Sequence, residues 1–199
     1  MLGCDRESST LGNPSTIVAT SGSVRSRSFN TMLLHAAVEA TPAGTTVEVA
    51  SIKDIPLYDG DLEAASGIPA SVQALKERVA TAGGLLLVTP EYNNSIPGVL
   101  KNAIDWMSRP TEDIARVFGG RPVGVIGATP GPGGTSLAQV AWLPVLRTLG
   151  MLPYFGARVL VSRAGTVFDQ QGKLADAAVR AQVERYMKGF ADFVSRHRD

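Results

Sequence analysis

Five short runs of apolar and β-branched residues recur along the chain, each followed by a stretch with helical spacing. That alternation limits the fold more than any other feature. The runs lie at residues 16–20, 46–52, 85–88, 122–128 and 158–161. Leu85-Leu86-Leu87-Val88 has no polar position, which suits a strand covered on both faces. The helical stretches are expected at 28–40, 69–82, 97–108, 136–149 and 173–196. In the first, Met32, Leu33, Ala36, Ala37 and Ala40 share one side, and Pro42 and Gly44 end it. Pro69 opens the second, and Pro144 predicts a bend in the fourth. Val179, Val183, Tyr186, Met187, Phe190 and Val194 align along the last. Residues 53–67 hold Pro, Gly and four acids (Asp54, Asp59, Asp61, Glu63) and read as a surface loop. Residues 109–120 read as a connector.

Strands that alternate with amphipathic helices form a parallel sheet with helices on both faces. At 199 residues, one domain over 15–199 is expected, with residues 1–14 a flexible tail. With five strands, the best order is 2-1-3-4-5, that of a doubly wound, flavodoxin-like α/β fold. Its switch point falls between strands one and three, and open sheets bind ligands there, beyond the carboxyl ends of the strands. The two most polar loops of the chain follow strands one and three.

Composition removes several classes of function. A net charge of about +1 with scattered Lys and Arg argues against nucleic acid or membrane as partner. No apolar run has the length of a membrane span. Leu2-Gly3-Cys4 faintly echoes a lipoprotein cleavage site, but no apolar run precedes it. Cys4 is the only cysteine, and His35 and His197 are the only histidines, so a Cys/His zinc cluster is excluded. A cytoplasmic location is expected. An enzyme with so few nucleophiles and bases needs a cofactor to supply its chemistry.

The first loop runs Ser21-Gly22-Ser23-Val24-Arg25-Ser26-Arg27-Ser28-Phe29-Asn30 and opens a helix. Free N–H groups at a helix start, hydroxyls, and a guanidinium at Arg25 suit a phosphate. Ser28 or Asn30 serves equally as an ordinary N-cap, and Arg27 equally as a solvated side chain. The loop is neither a P-loop nor G-x-G-x-x-G. The second loop, Pro90-Glu91-Tyr92-Asn93-Asn94-Ser95, has residues suited to tight turns, whose N–H groups can face a planar ring. Tyr92 can pack beside such a ring, and Glu91 can instead brace the loop. The third, Gly127-Ala128-Thr129-Pro130-Gly131-Pro132-Gly133-Gly134, lets backbone approach a ligand closely. Lys101 and Asp105 are spaced as a surface pair, and Trp106 fits core or interface.

These motifs resemble those of the flavodoxin-like NADPH-dependent FMN reductases, a family that includes chromate-, quinone- and azo-reducing members. Gly22-Ser23-x-Arg25-x-x-Ser28-x-Asn30 looks like the family's phosphate loop. Pro90-Glu91-Tyr92-Asn93-x-Ser95-x-Pro97-Gly98-x-Leu100-Lys101-Asn102-x-x-Asp105-Trp106 looks like its central signature. The resemblance covers about residues 16–193. It implies noncovalent FMN, with phosphate on Ser23, Arg25, Ser28 and Asn30. The ring would lie against Pro90, Glu91, Tyr92, Asn93, Asn94 and Ser95, with Thr129, Gly131, Gly133 and Gly134 nearby. It also implies NADPH (or NADH) as hydride donor, a small-molecule electron acceptor, ping-pong turnover, and a homodimer or homotetramer. No side chain is assigned as a catalytic acid or base, and no metal is expected. The alternatives are a flavodoxin-type electron carrier, disfavoured by the near-neutral charge, and a binding module without turnover.

Overall fold

The computed structural model describes residues 15–197; the expected tail, with Cys4, lies outside them. A parallel sheet is built from β1 (Ser15–Ser21), β2 (Thr45–Ala50), β3 (Gly84–Val88), β4 (Pro122–Ala128), β5 (Leu152–Pro153) and β6 (Leu160–Val161). The order is β2-β1-β3-β4-β5, with β6 also paired to β4, as the sequence predicts for the first four strands. β3 is buried at every position.

Helices α1 (Phe29–Glu39) and α7 (Ala177–Arg196) cover one face. Leu33, Leu34, Ala37, Met187, Phe190 and Val194 pack there on Ile17, Ala19, Leu86 and Val88. On the other face α3 (Ala70–Thr81), α4 (Gly98–Met107) and α6 (Ser136–Thr148) bring Val72, Leu75, Leu100, Ile104, Trp106, Trp142 and Leu146 onto Val18, Leu85 and Leu87. Burying each such side chain contributes about 1.5–3 kcal/mol. Ser28 caps α1 and Asp176 caps α7 through their side-chain oxygens.

Four expectations change. Residues 53–67 contain a helix, α2 (Gly60–Ser66), capped by Asp59; none of its residues is buried, so no apolar period announces it. The connector holds a 3-10 turn at Thr111–Asp113 and the four-residue α5 (Ile114–Val117). The fifth strand is interrupted: β5 pairs with the start of β4 and β6 with its end. α7 begins at Ala177, not at 173, because Asp176 caps it. Pro144 lies inside α6 on its exposed side. His35 is exposed on α1.

Loop 53–67 is held against α4 by residues of the central motif. Asn102 accepts the Tyr58 N–H at 2.8 Å and donates to the Pro56 carbonyl at 2.8 Å. Trp106, fully buried, donates to the same carbonyl at 2.9 Å and meets Tyr58 edge-on at 4.9 Å. Lys101 and Asp105 form the expected pair, at 2.6 Å.

Candidate cofactor site

The loops after β1, β3 and β4 converge on one hollow at the carboxyl end of the sheet. Ser23, Arg25, Ser28 and Asn30 line it from the first loop, Pro90, Glu91 and Tyr92 from the second, Thr129 and Pro130 from the third. The first two loops touch because residue 22 is glycine. Its N–H donates to the Val88 carbonyl at 2.8 Å, and a Cβ there would stand 2.8 Å from Pro90 Cδ and 2.9 Å from Leu100 Cδ2. The Tyr92 hydroxyl lies 3.5 Å from Ser23 Oγ.

Within the first loop, Ser28 Oγ accepts the N–H groups of Asn30 (3.2 Å) and Thr31 (3.3 Å). It acts as the N-cap, and its own proton stays free to donate. Asn30 is buried, and its amide is committed across the sheet. Nδ2 donates to the Ala128 carbonyl at 2.8 Å, and Oδ1 accepts the Ala128 N–H at 2.9 Å. Its side chain therefore clamps the first loop to the third, with one Nδ2 hydrogen beyond that pair. Val24, Arg25, Ser26 and Arg27 are exposed. Among the described residues their N–H groups have no partner and neither guanidinium meets a carboxylate. Open N–H groups in the loop that leads into a helix start, beside an unpaired Arg, favour an anion.

In the second loop Tyr92 and Ser95 bond each other twice, N–H to carbonyl, at 3.1 and 3.0 Å. Asn93 (φ 50°) and Asn94 (φ 60°) make the left-handed pair between them, a two-residue turn that Asn tolerates better than most residues. The Ser95 N–H is thus taken by Tyr92 and is not open to a ring. Among the described residues those of Asn93 and Asn94 have no partner. Asn93, Asn94 and Ser95 are exposed beyond the lining of the hollow. The Thr89 hydroxyl donates to the Pro90 carbonyl at 2.9 Å and accepts the Trp142 indole N–H at 3.2 Å. Glu91 braces the loop, as its alternative reading has it: one carboxylate oxygen accepts the N–H groups of Leu137 (2.9 Å) and Ala138 (3.0 Å) in the first turn of α6.

Of the third-loop residues, Thr129 lines the hollow, whereas Gly131, Gly133 and Gly134 sit further along. Gly134 (φ +65°) turns the chain into α6 against Leu160. The close approach falls instead at Gly127, where a Cβ would lie 2.2 Å from the Thr89 carbonyl oxygen and 2.3 Å from Thr135 Oγ1. Sequence reasoning did not single out Phe29, Ala128 and Pro130 as lining residues; adjacency to named loop residues was the one available signal. Open anion donors at one end and a small-residue, aromatic-edged wall at the other fit a phosphorylated planar cofactor such as FMN.

The family described as NADPH-dependent FMN reductase matches residues 15–166, most of the chain. The chain belongs to that family. It is 40% identical over 182 residues to an NAD(P)H-dependent FMN reductase of Pseudomonas aeruginosa, covering 92% of this chain and 96% of that protein. It is 36% identical over 186 residues to a quinone reductase of Escherichia coli K12, covering 90% and 95%. Among solved structures it resembles FerB, a flavoenzyme NAD(P)H:(acceptor) oxidoreductase from Paracoccus denitrificans. There the TM-score is 0.82 and the identity 30%, over 92% of this chain and 98% of that one. The fold is flavodoxin-like and the protein is an oxidoreductase that works with FMN and NAD(P)H.

Proposed function

We propose that the protein passes reducing equivalents from NAD(P)H, through FMN held in the three-loop hollow, to a small acceptor: a quinone, azo or nitro compound, metal oxyanion or free flavin. The convergence of the Arg25 and Tyr92 loops on one hollow carries this reading. Bound FMN would supply the hydride chemistry; the chain supplies position and electrostatics. Arg25 and the N–H groups of residues 24–27 would hold the phosphate, with the Ser23 and Ser28 hydroxyls as further donors. Asn30 fixes the loop that carries them. Pro90 and Tyr92 wall the ring, and the free N–H groups of Asn93 and Asn94 face what binds beside it. Glu91, the one carboxylate lining the hollow among the described residues, is engaged by α6. No side chain is given a proton to move; among the described residues neither His nor Cys lines the hollow.

The absorbance spectrum of purified protein, before and after anaerobic NADPH, tests this reading. Flavin bands that bleach with NADPH and recover with a quinone are expected. A protein that takes up no FMN sinks the reading, and one that takes it up without consuming NADPH is an electron carrier.

We infer assembly as a homodimer or homotetramer. The outer side of α6 favours it: Val140, 62% exposed, and Leu143 line a groove with Phe155, 71% exposed, and Leu137 is exposed on the same helix. Exposed apolar patches of this kind mark interaction surfaces. Sedimentation of Val140→Lys, expected to lighten the particle, checks it. Among the described residues no helix is long and apolar enough to cross a membrane. The cytoplasm is the proposed location.

A further inference from the structure

We propose that Glu91 is a positioning residue: its carboxylate sets where the third loop stands over the site. The inference rests on the hollow being the FMN site.

A helix start needs partners for its first N–H groups, and usually its own N-cap side chain provides one. In α6 it does not. Thr135 occupies the cap position but makes no cap bond; its buried hydroxyl accepts the Gln139 amide at 3.1 Å. The partner is Glu91, 46 residues earlier in the chain and in another loop. Among the described residues no Lys or Arg pairs with that carboxylate. Its charge is directed at the positive end of α6, where charge-assisted bonds to N–H groups are strong.

A local cap satisfies a helix equally well. A distant one also fixes the helix relative to the loop that supplies it. The third loop is therefore tethered at both ends by side chains of the other two. Asn30 of the first loop holds Ala128 at its start, and Glu91 of the second holds Leu137 and Ala138 just past its end. The segment between, with Gly131, Gly133 and Gly134, is otherwise bonded to the chain around β6, not to the second loop: the Thr129 N–H donates to the Val161 carbonyl at 2.9 Å. Its carbonyls at Thr129 and Gly131 accept the N–H groups of Ala164 (3.0 Å) and Arg163 (2.9 Å). Losing Glu91 frees the third loop from the wall that faces the ring.

The test compares FMN affinity, read by flavin fluorescence at equilibrium, with thermal melts of the same apo samples. Glu91→Ala should bind FMN about tenfold more weakly and melt lower. Glu91→Gln keeps one acceptor oxygen and should lose about threefold. Glu91→Ala with Ser136→Asp places a carboxylate in α6's own first turn. It should recover the melting temperature while FMN affinity stays low. Recovery of both would make Glu91 a plain helix cap and overturn the proposal. Wild-type affinity in Glu91→Ala would overturn it alone, with the functional reading intact. Failure of the wild-type protein to take FMN would remove the functional reading and this proposal together.

Discussion

The two ends of α4 treat charge in opposite ways. Beyond its carboxyl end Arg109, Arg116 and Lys76 each have an internal partner. Arg109 Nε meets Glu63 at 3.0 Å, and Arg116 bridges Asp113 (2.6 Å) and Glu77 (2.9 Å). Lys76, only 1% exposed, meets Asp113 at 2.8 Å and the Arg109 carbonyl. At the amino end, Arg25 and Arg27 face solvent with no carboxylate among the described residues, beside four open N–H groups. Cations that hold the fold are answered within the chain; Arg25 at the hollow, with Arg27 in the same loop, is left for something outside it. Substitutions in each region test that division.

The largest effect is expected where the hollow's walls meet. Gly127→Ala drives a Cβ to within 2.2 Å of a backbone oxygen and 2.3 Å of a buried hydroxyl. Neither is the end of a flexible side chain, so strand or loop must move. A loss of about 3 kcal/mol, the upper part of the overpacking range, is expected in urea melts. A loss below about 1 kcal/mol would show that the loops are not stitched tightly enough to define a site.

Arg25→Ala should behave as removal of an unpaired cation. FMN binding should weaken by about 1.5–3 kcal/mol, the range for a hydrogen bond to a charged group. Stability without FMN should stay within about 0.5 kcal/mol. Titration of apo protein with FMN, beside a urea melt, separates the two. Unchanged FMN affinity would move the phosphate elsewhere.

Asp113→Ala is the converse case. It leaves the buried Lys76 without its carboxylate, and breaking a buried pair in this way costs about 3–5 kcal/mol. Asp113 is 23% exposed and the Arg109 carbonyl remains, so about 2 kcal/mol is expected. Lys76→Met should cost less than Asp113→Ala, since the apolar replacement needs no partner and Arg116 still meets Asp113. The pH dependence has a definite sign. Hydrogen bonds from Arg116, then Lys76, hold the Asp113 carboxyl far below the usual carboxylate range. A depressed folded-state value stabilises above the unfolded value, near 3.9, and the benefit is lost as pH falls toward the folded value. The stability gap between wild type and Asp113→Ala should be full at pH 7 and shrink below about pH 4.

Strands buried on both faces were readable because they have no polar positions: β3 and β4 appear within a residue of where the apolar runs place them. β5 was not readable. It is two residues long and ends in Pro153, which suits an edge but looks like a breaker. α2 was hidden because helical period shows only when one side is buried. At the hollow, residue chemistry pointed to the three loops, but not to which donors are free. That depends on partners far along the chain: Asn30 with Ala128, Glu91 with α6, Trp106 and Asn102 with Pro56. Spacing within a motif carries no trace of such pairings, so a motif residue that clamps two loops looks the same as one that meets the ligand.

The smallest effect is expected at Arg163, which sharpens the division from the side of backbone strain. Its φ of 48° and ψ of 41° are left-handed, and it is exposed. Its N–H donates to the Gly131 carbonyl at 2.9 Å, tying the chain after β6 to the third loop. A non-glycine residue in this conformation is strained by about 1–2 kcal/mol. Glycine relieves that strain but gains about 0.4–1 kcal/mol of unfolded-chain entropy. Arg163→Gly should therefore stabilise by only about 0.5 kcal/mol, a rise in melting midpoint of a degree or two. The N–H bond to Gly131 survives the change, so the third loop should keep its place and FMN affinity should hold. If affinity falls while stability rises, the guanidinium belongs with Arg25 among the charges left open for a ligand, and the strain at Arg163 is what holds it there.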